Sequence, residues 1–167
     1  REHLIVNSVN EALKVTKVEE LPERIETILE KLKGAEREIA QFRSKEALAQ
    51  VDQLLAKIVS VGKVKAVIAT VIGELGNDEL RAIAGAIAER TRSEAVAIAL
   101  FSAGKKPIVV AQTTESARAL GVKAGEMVKR ASKALGGGGG GKDDFAQGGG
   151  ADSAAIPAAV KELEAYL

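Results

Sequence analysis

The chain has 167 residues, enough for one good core or for a compact domain plus an extended appendage. Apolar residues make up 46%, charged residues 28% and aromatics only 2%, so the core must be built from Ile, Val, Leu and Ala, and base stacking on an aromatic platform is disfavoured. Net charge is +1, and the absence of cysteine excludes disulfides, thiolate zinc sites and cysteine nucleophiles, in keeping with the cytosol.

The chain opens on Arg1 and runs directly into an amphipathic stretch, so it reads as a fragment of something longer, without a signal peptide. Residues 3–14 predict a short helix, Thr16–Lys17 a break, and Pro22 suits the first turn of a second helix. From there Ile25, Ile28, Leu32, Ala35, Ile39 and Phe42 recur at steps of 3, 4, 3, 4 and 3, a heptad seam. A second seam, Leu48, Val51, Leu55 and Ile58, follows a phase slip across Arg43–Glu46. Two structures satisfy this pattern. One is a continuous helix of roughly 35 residues, about 50 Å long, with a stammer in its seam. The other is a bent or hairpin pair hinged near Arg43–Glu46. Either way the seam needs a partner, the following domain or another copy. Ile25, Ile28, Leu32, Ile39 and Phe42 are therefore the candidate association residues. Residues 1–57 are read as a helical, coiled-coil-like arm and 58–167 as a globular domain.

After Gly62 the periodicity changes. Val64–Gly73 is a β-rich run, Asn77 a good helix N-cap, and residues 78–90 have helical spacing. Ala95–Phe101 and Ile108–Ala111 are two more apolar runs separated by turn residues, which suggests a hairpin. Residues 124–135 and 153–166 read as helices, with a glycine-rich loop at 136–150 between them. The order β-α-β-β-α-loop-α implies an α+β fold, a small mixed sheet with helices on one or both faces.

Charge is uneven. Residues 1–57 carry ten basic and eleven acidic side chains, whereas residues 105–142 carry eight basic ones against Glu115 and Glu126. Such an excess can form an electrostatic footprint for a polyanion, or a solvated helix face rich in lysine. Lys123, Lys129, Arg130, Lys133 and Lys142 are the candidates for the phosphates of such a polyanion, because helical spacing brings 129, 130 and 133 near one edge beside the glycine segment.

In that segment, 136–150, nine of fifteen residues are Gly. Gly136, Gly141 and Lys142 match the nucleotide-binding spacing G-x-x-x-x-G-K. The next residue is Asp143 where a Ser or Thr would be needed to hold Mg²⁺, and the segment follows a helix rather than a strand. On physics alone it is either a flexible linker or a binding loop. As a binding loop, Gly139, Gly140, Gly141, Gly148 and Gly149 would allow close backbone approach. The second glycine cluster would present N–H groups, and Asp144 and Gln147 would reach ribose hydroxyls or base edges. Asp143 and Asp144 side by side are more often solvated than a Mg²⁺ site. The single histidine, His3, lies far from any metal-ligating partner in sequence and reads as a helix-surface residue.

The string Gly140-Gly141-Lys142-Asp143-Asp144-Phe145-Ala146-Gln147-Gly148-Gly149 resembles the glycine signature of the DHH-associated domain as it ends alanyl-tRNA synthetases. The helical arm opening at Leu21-Pro22-Glu23-Arg24-Ile25 and the globular part that follows are similar to that family's C-terminal C-Ala piece. The resemblance implies a non-catalytic module that binds the elbow of alanine tRNA by shape and backbone, aids aminoacylation and editing, and contributes to oligomerisation. It implies the rest of the synthetase chain as a partner, further copies of itself, a cytoplasmic location and no membrane. It implies no cofactor within this piece, since ATP and zinc belong to other domains of that enzyme. The family's editing cysteine and histidines, and the metal-binding Asp and His of the related phosphoesterases, are missing here. One departure is Lys142, where relatives often carry Arg: the charge is kept but the planar fork is lost. A module that mainly docks or dimerises, with incidental RNA contact, is the alternative.

Overall fold

The computed structural model describes residues 2–167 and divides into two units, Arg1–Arg43 and Ser44–Leu167. The first unit holds α1 (Glu2–Leu13) and most of α2 (Leu21–Leu48). Lys14 turns the chain with φ at 52°, an uncommon left-handed conformation for a residue with a side chain. Beside it Arg24 Nε donates to the Leu13 carbonyl at 3.1 Å. Helix α2 spans 28 residues, about 42 Å. It is rich in Leu, Ala, Glu, Lys and Arg, with Pro22 tolerated in its first turn.

Neither arrangement expected for residues 23–58 is found. Helix α2 runs through Arg43–Glu46 without a break, and ends at Leu48 before a short α3 (Val51–Leu55). The buried face there is Ala47, Val51 and Leu54, while Leu48 is 41% exposed, so the core selects a stripe offset from the second seam. Gln50 fixes the break. Its side-chain Nε2 donates to the Ile72 carbonyl at 3.0 Å, and its Oε1 accepts from the Ile72 N–H at 2.8 Å. Because Ala47, Val51 and Leu54 belong to the core of the second unit, that unit takes in residues assigned from sequence to the arm.

The second unit is an α+β sandwich. Strands β1 (Val59–Val61), β2 (Val64–Thr70), β3 (Val96–Ser102), β4 (Ile108–Thr113), β5 (Gly138–Gly141) and β6 (Phe145–Gly149) form one mixed sheet in the order β1-β2-β3-β4-β6-β5. Only β2 and β3 are parallel, joined by a crossover through α4 (Asn77–Arg90); the other pairs are antiparallel. All seven residues of β3 are buried, since helices cover both faces. On one face Leu80, Ile83, Ala84 and Ile87 of α4 meet Val67, Ile98, Leu100 and Val110. On the other, α6 (Ala124–Ala134) and α7 (Ile156–Tyr166) bring Met127, Val128, Ala131, Ala159 and Leu163 against Ala97, Ala99, Phe101 and Val109. Each fully buried Leu, Ile, Met or Phe contributes about 1.5–3 kcal/mol. A short α5 (Glu115–Ala119) precedes α6 and is capped by Thr114 Oγ1, which accepts from the Ala117 N–H. Helix α4 is capped one residue earlier than Asn77: the Glu79 carboxylate accepts from the Gly76 N–H at 3.0 Å.

Segment 136–150 is not a loop. It contributes the last two strands of the sheet, β6 pairing with β4 and β5 lying at the edge. The main-chain bonds that β4 offers to β6 convert glycine-rich chain into strand. Gly136, with φ at 74°, ends α6 in the left-handed conformation that only glycine adopts freely.

Candidate nucleic-acid interface

Helix α6 positions the basic candidates. Ala124, Met127, Val128, Ala131 and Leu135 face the core at helical spacing, which leaves Lys129, Arg130 and Lys133 on the outer side. These three, with Glu126, Ala134 and Glu162 from α7, line an open groove of about 560 Å³. Arg130 lies over the Tyr166 ring, 4.9 Å from its centroid, a contact worth about 0.5–1 kcal/mol that holds the guanidinium in place. Lys129 pairs with Glu126 at 3.4 Å and Lys123 with Asp143 at 3.2 Å, both solvent-exposed pairs that an incoming phosphate can displace at little cost. Among the described residues, Lys133 and Lys142 make no ion pair within 4.0 Å.

The hairpin β5–β6 carries the remaining candidates. Its turn is held from below: Ala124 and Gly125 at the start of α6 donate to the carbonyls of Asp143 and Lys142 at 2.9 and 3.0 Å, and Thr113 Oγ1 donates to Asp143 O at 2.7 Å. Glycine has a packing reason on one side of the hairpin. A methyl group on Gly148 would come within 2.3 Å of the buried Ser132 Oγ, and one on Gly139 within 2.8 Å of Val128 Cγ1. Gly138 and Gly140 meet nothing within 4 Å. The alternation follows the two-residue period of a strand, with one face pressed under α6 and the other open.

On the open face Gly140, Gly141, Lys142, Asp144 and Gln147 line a shallow cleft of about 340 Å³, together with Arg81 of α4. Arg81 sits 4.6 Å from the centroid of the Phe145 ring. The structure thus does not gather the sequence-derived candidates into one site. Lys129, Arg130 and Lys133 lie in the α6–α7 groove, Gly140, Gly141, Lys142, Asp144 and Gln147 in the cleft on the α4 side, and Lys123 at the turn with Asp143, while Gly139 and Gly148 face α6 and Gly149 lies against the Pro107 carbonyl. Lys105 and Lys106 lie apart, in the β3–β4 turn beside Gly150, at the other end of the sheet from Lys142. The basic stretch 105–142 is therefore not one patch.

One expectation about main-chain donors changes. The N–H groups of Gly150, Ala151 and Asp152 are taken by the carbonyls of Pro107 and Leu135, so the second glycine cluster does not offer them to a ligand. The nucleotide-binding spacing falls on a strand–turn–strand hairpin, not on a loop opening a helix, which removes its phosphate-binding geometry. Arg81 and Tyr166 are the residues that sequence reasoning missed. Each pairs with a residue distant along the chain, and no local spacing signals it. No group of three or more His, Cys, Asp or Glu suited to a metal ion occurs among the described residues. Nor is any of their helices long and apolar enough to cross a membrane.

The DHHA1 domain family matches residues 63–167. Alanine–tRNA ligases of Kineococcus radiotolerans and Acidothermus cellulolyticus are 42% and 44% identical to the chain over 169 and 161 residues, covering 100% and 96% of it. The chain spans only 19% and 18% of those relatives. The crystal structure of the C-Ala domain from Aquifex aeolicus alanyl-tRNA synthetase superposes with a TM-score of 0.60 at 32% identity, covering 66% of this chain and 97% of that one. RecJ from Thermus thermophilus shares the fold, with a TM-score of 0.56 at 21% identity over 96% of this chain and 27% of its own. The chain belongs to the DHHA1 domain family, and within it to the C-Ala domains of alanyl-tRNA synthetases.

Proposed function

We propose that the chain is a non-catalytic tRNA-binding module of an alanyl-tRNA synthetase, taking alanine tRNA by the shape and backbone of its elbow and aiding aminoacylation and editing in the full-length enzyme. The observation that carries this reading is the outward face of α6, where Lys129, Arg130 and Lys133 line one groove, with Arg130 braced on Tyr166. A row of cations on a rigid helix suits a phosphate backbone. The edge strand β5 adds four consecutive residues without side chains, against which a sugar–phosphate chain can lie closely. Few aromatics accompany this, which suits recognition of folded RNA by shape.

The test is fluorescence anisotropy with alanine tRNA at two salt concentrations, beside a tRNA whose elbow is disrupted. The triple variant Lys129→Ala, Arg130→Ala, Lys133→Ala is titrated in parallel. Affinity should fall with salt, with the disrupted elbow and with the variant, whose salt slope should shrink by about 2–3 units. Equal affinity for the two tRNAs removes the elbow from the reading, and no binding by the parent chain removes the RNA role.

A second reading, association through the arm, is favoured by one observation. The seam residues Ile25, Ile28, Leu32, Ile39 and Phe42 are 37–63% exposed, an unpartnered apolar stripe along α2.

A further inference from the structure

We infer that Glu162 of α7 makes the α6–α7 groove selective for ribose, its carboxylate accepting a hydrogen bond from a 2′-hydroxyl of the bound strand. The inference rests on the RNA reading above and names what the groove tells apart. Ile156, Ala159 and Leu163 are the buried residues of α7. That leaves Glu162 on the flank of the helix, where it lines the groove with Lys129, Arg130 and Lys133. Tyr166 stands one turn further on. Its hydroxyl accepts from the Lys123 N–H at 3.2 Å, and its ring carries Arg130 at 4.9 Å from the centroid. Both contacts tie α7 to α6. Residues four apart share one helix face, so the same contacts hold Glu162 at the groove wall.

Two observations single this carboxylate out. Glu126, the other acid of the groove, is tied to Lys129 at 3.4 Å. Glu162 forms no ion pair among the described residues, although three cations line the same groove. A groove that only collected phosphates would be weakened by a free carboxylate, because like charges repel. An ionised carboxylate accepts hydrogen bonds and donates none, so its partner must be a donor. Along an RNA strand a ribose follows every phosphate, and the donor that stands beside the backbone is the 2′-hydroxyl. Cations with one free acceptor among them therefore match a chain that alternates phosphate with hydroxyl. A DNA strand brings the phosphates without the donor and leaves the carboxylate facing anions.

The test is fluorescence anisotropy with two RNAs. One is alanine tRNA. The other is the same tRNA with 2′-fluorine in place of the 2′-hydroxyl through the elbow, which keeps the sugar pucker of RNA and removes the donor. Thermal melting confirms that both fold. The parent chain, Glu162→Ala and Glu164→Ala are titrated against each. Glu164 is exposed on α7 and does not line the groove, so its variant removes an equal charge without the contact. The parent should bind the fluorinated RNA about 10-fold more weakly, the worth of one hydrogen bond to a charged acceptor. Glu164→Ala should keep that ratio, and Glu162→Ala should reduce it to under about twofold. Glu162→Gln keeps an acceptor oxygen and should retain part of it. An unchanged ratio in Glu162→Ala overturns the inference and leaves RNA binding in place. Equal tightening of both RNAs by Glu162→Ala and Glu164→Ala also overturns it, and makes Glu162 a repelling charge without a contact. A parent chain that binds neither RNA removes the RNA reading itself. Circular dichroism confirms that each variant keeps its helix content.

Discussion

Helices α2 and α6 carry apolar stripes of the same period, and their fates differ. Met127, Val128 and Ala131 of α6 are wholly buried, while Ile25, Leu32, Ile39 and Phe42 of α2 stand 43–63% exposed. What separates them is the surface each meets within the second and first unit respectively. Helix α6 is followed by a strand without side chains, and the hairpin beneath it is glycine at 139 and 148, so the helix settles close to the sheet. Helix α2 has no such floor among the described residues of its own unit. A periodic stripe states that a face will be covered, and the covering surface has to be found elsewhere.

That contrast can be tested by filling or emptying each side. Met127→Ala should cost the most, about 2–5 kcal/mol of unfolding free energy in a urea titration, because a fully buried side chain leaves a cavity between α6 and the sheet. Gly148→Ala should cost about 2–3 kcal/mol by the opposite route. Its new methyl would overlap Ser132 Oγ and approach the Gly139 Cα to 2.8 Å, forcing α6 off the hairpin. Gly140→Ala, on the open face of the same hairpin, should instead be neutral or stabilising by up to about 1 kcal/mol. Equal costs for 140 and 148 would break the assignment of the two faces. Smallest of all, Ile39→Ala should change monomer stability by under about 0.5 kcal/mol in dilute solution. A cost that grows with protein concentration would place Ile39 in a contact between copies.

The α+β order and the positions of β2, β3, β4, α4 and α6 were legible in the sequence, because each carries its own alternation or helical spacing. The hairpin was not. Strand periodicity is read from a difference between odd and even residues, and in Gly137–Gly141 both faces are glycine, so the distinction between crowded 139 and open 140 leaves no trace in residue identity. The end of α2 was misjudged for a related reason. Leu48 and Val51 fit one seam on paper, but the core took Ala47 and Val51 instead, and Gln50 clasped the main chain of Ile72 from 22 residues away. For the basic candidates, spacing on α6 was enough to gather Lys129, Arg130 and Lys133. It gave no means of finding Arg81 or Tyr166, whose stacking partners come from other helices and strands.

The clasp between the hairpin turn and the start of α6 has a consequence for the exchange of amide hydrogens with solvent. The first N–H groups of a helix normally face water and exchange fast. Here Ala124 and Gly125 are bonded to the carbonyls of Asp143 and Lys142, so deuterium uptake at those two amides should be slow. They should open only when the turn itself lifts away from α6, which makes them reporters of a ligand that tightens or loosens the hairpin.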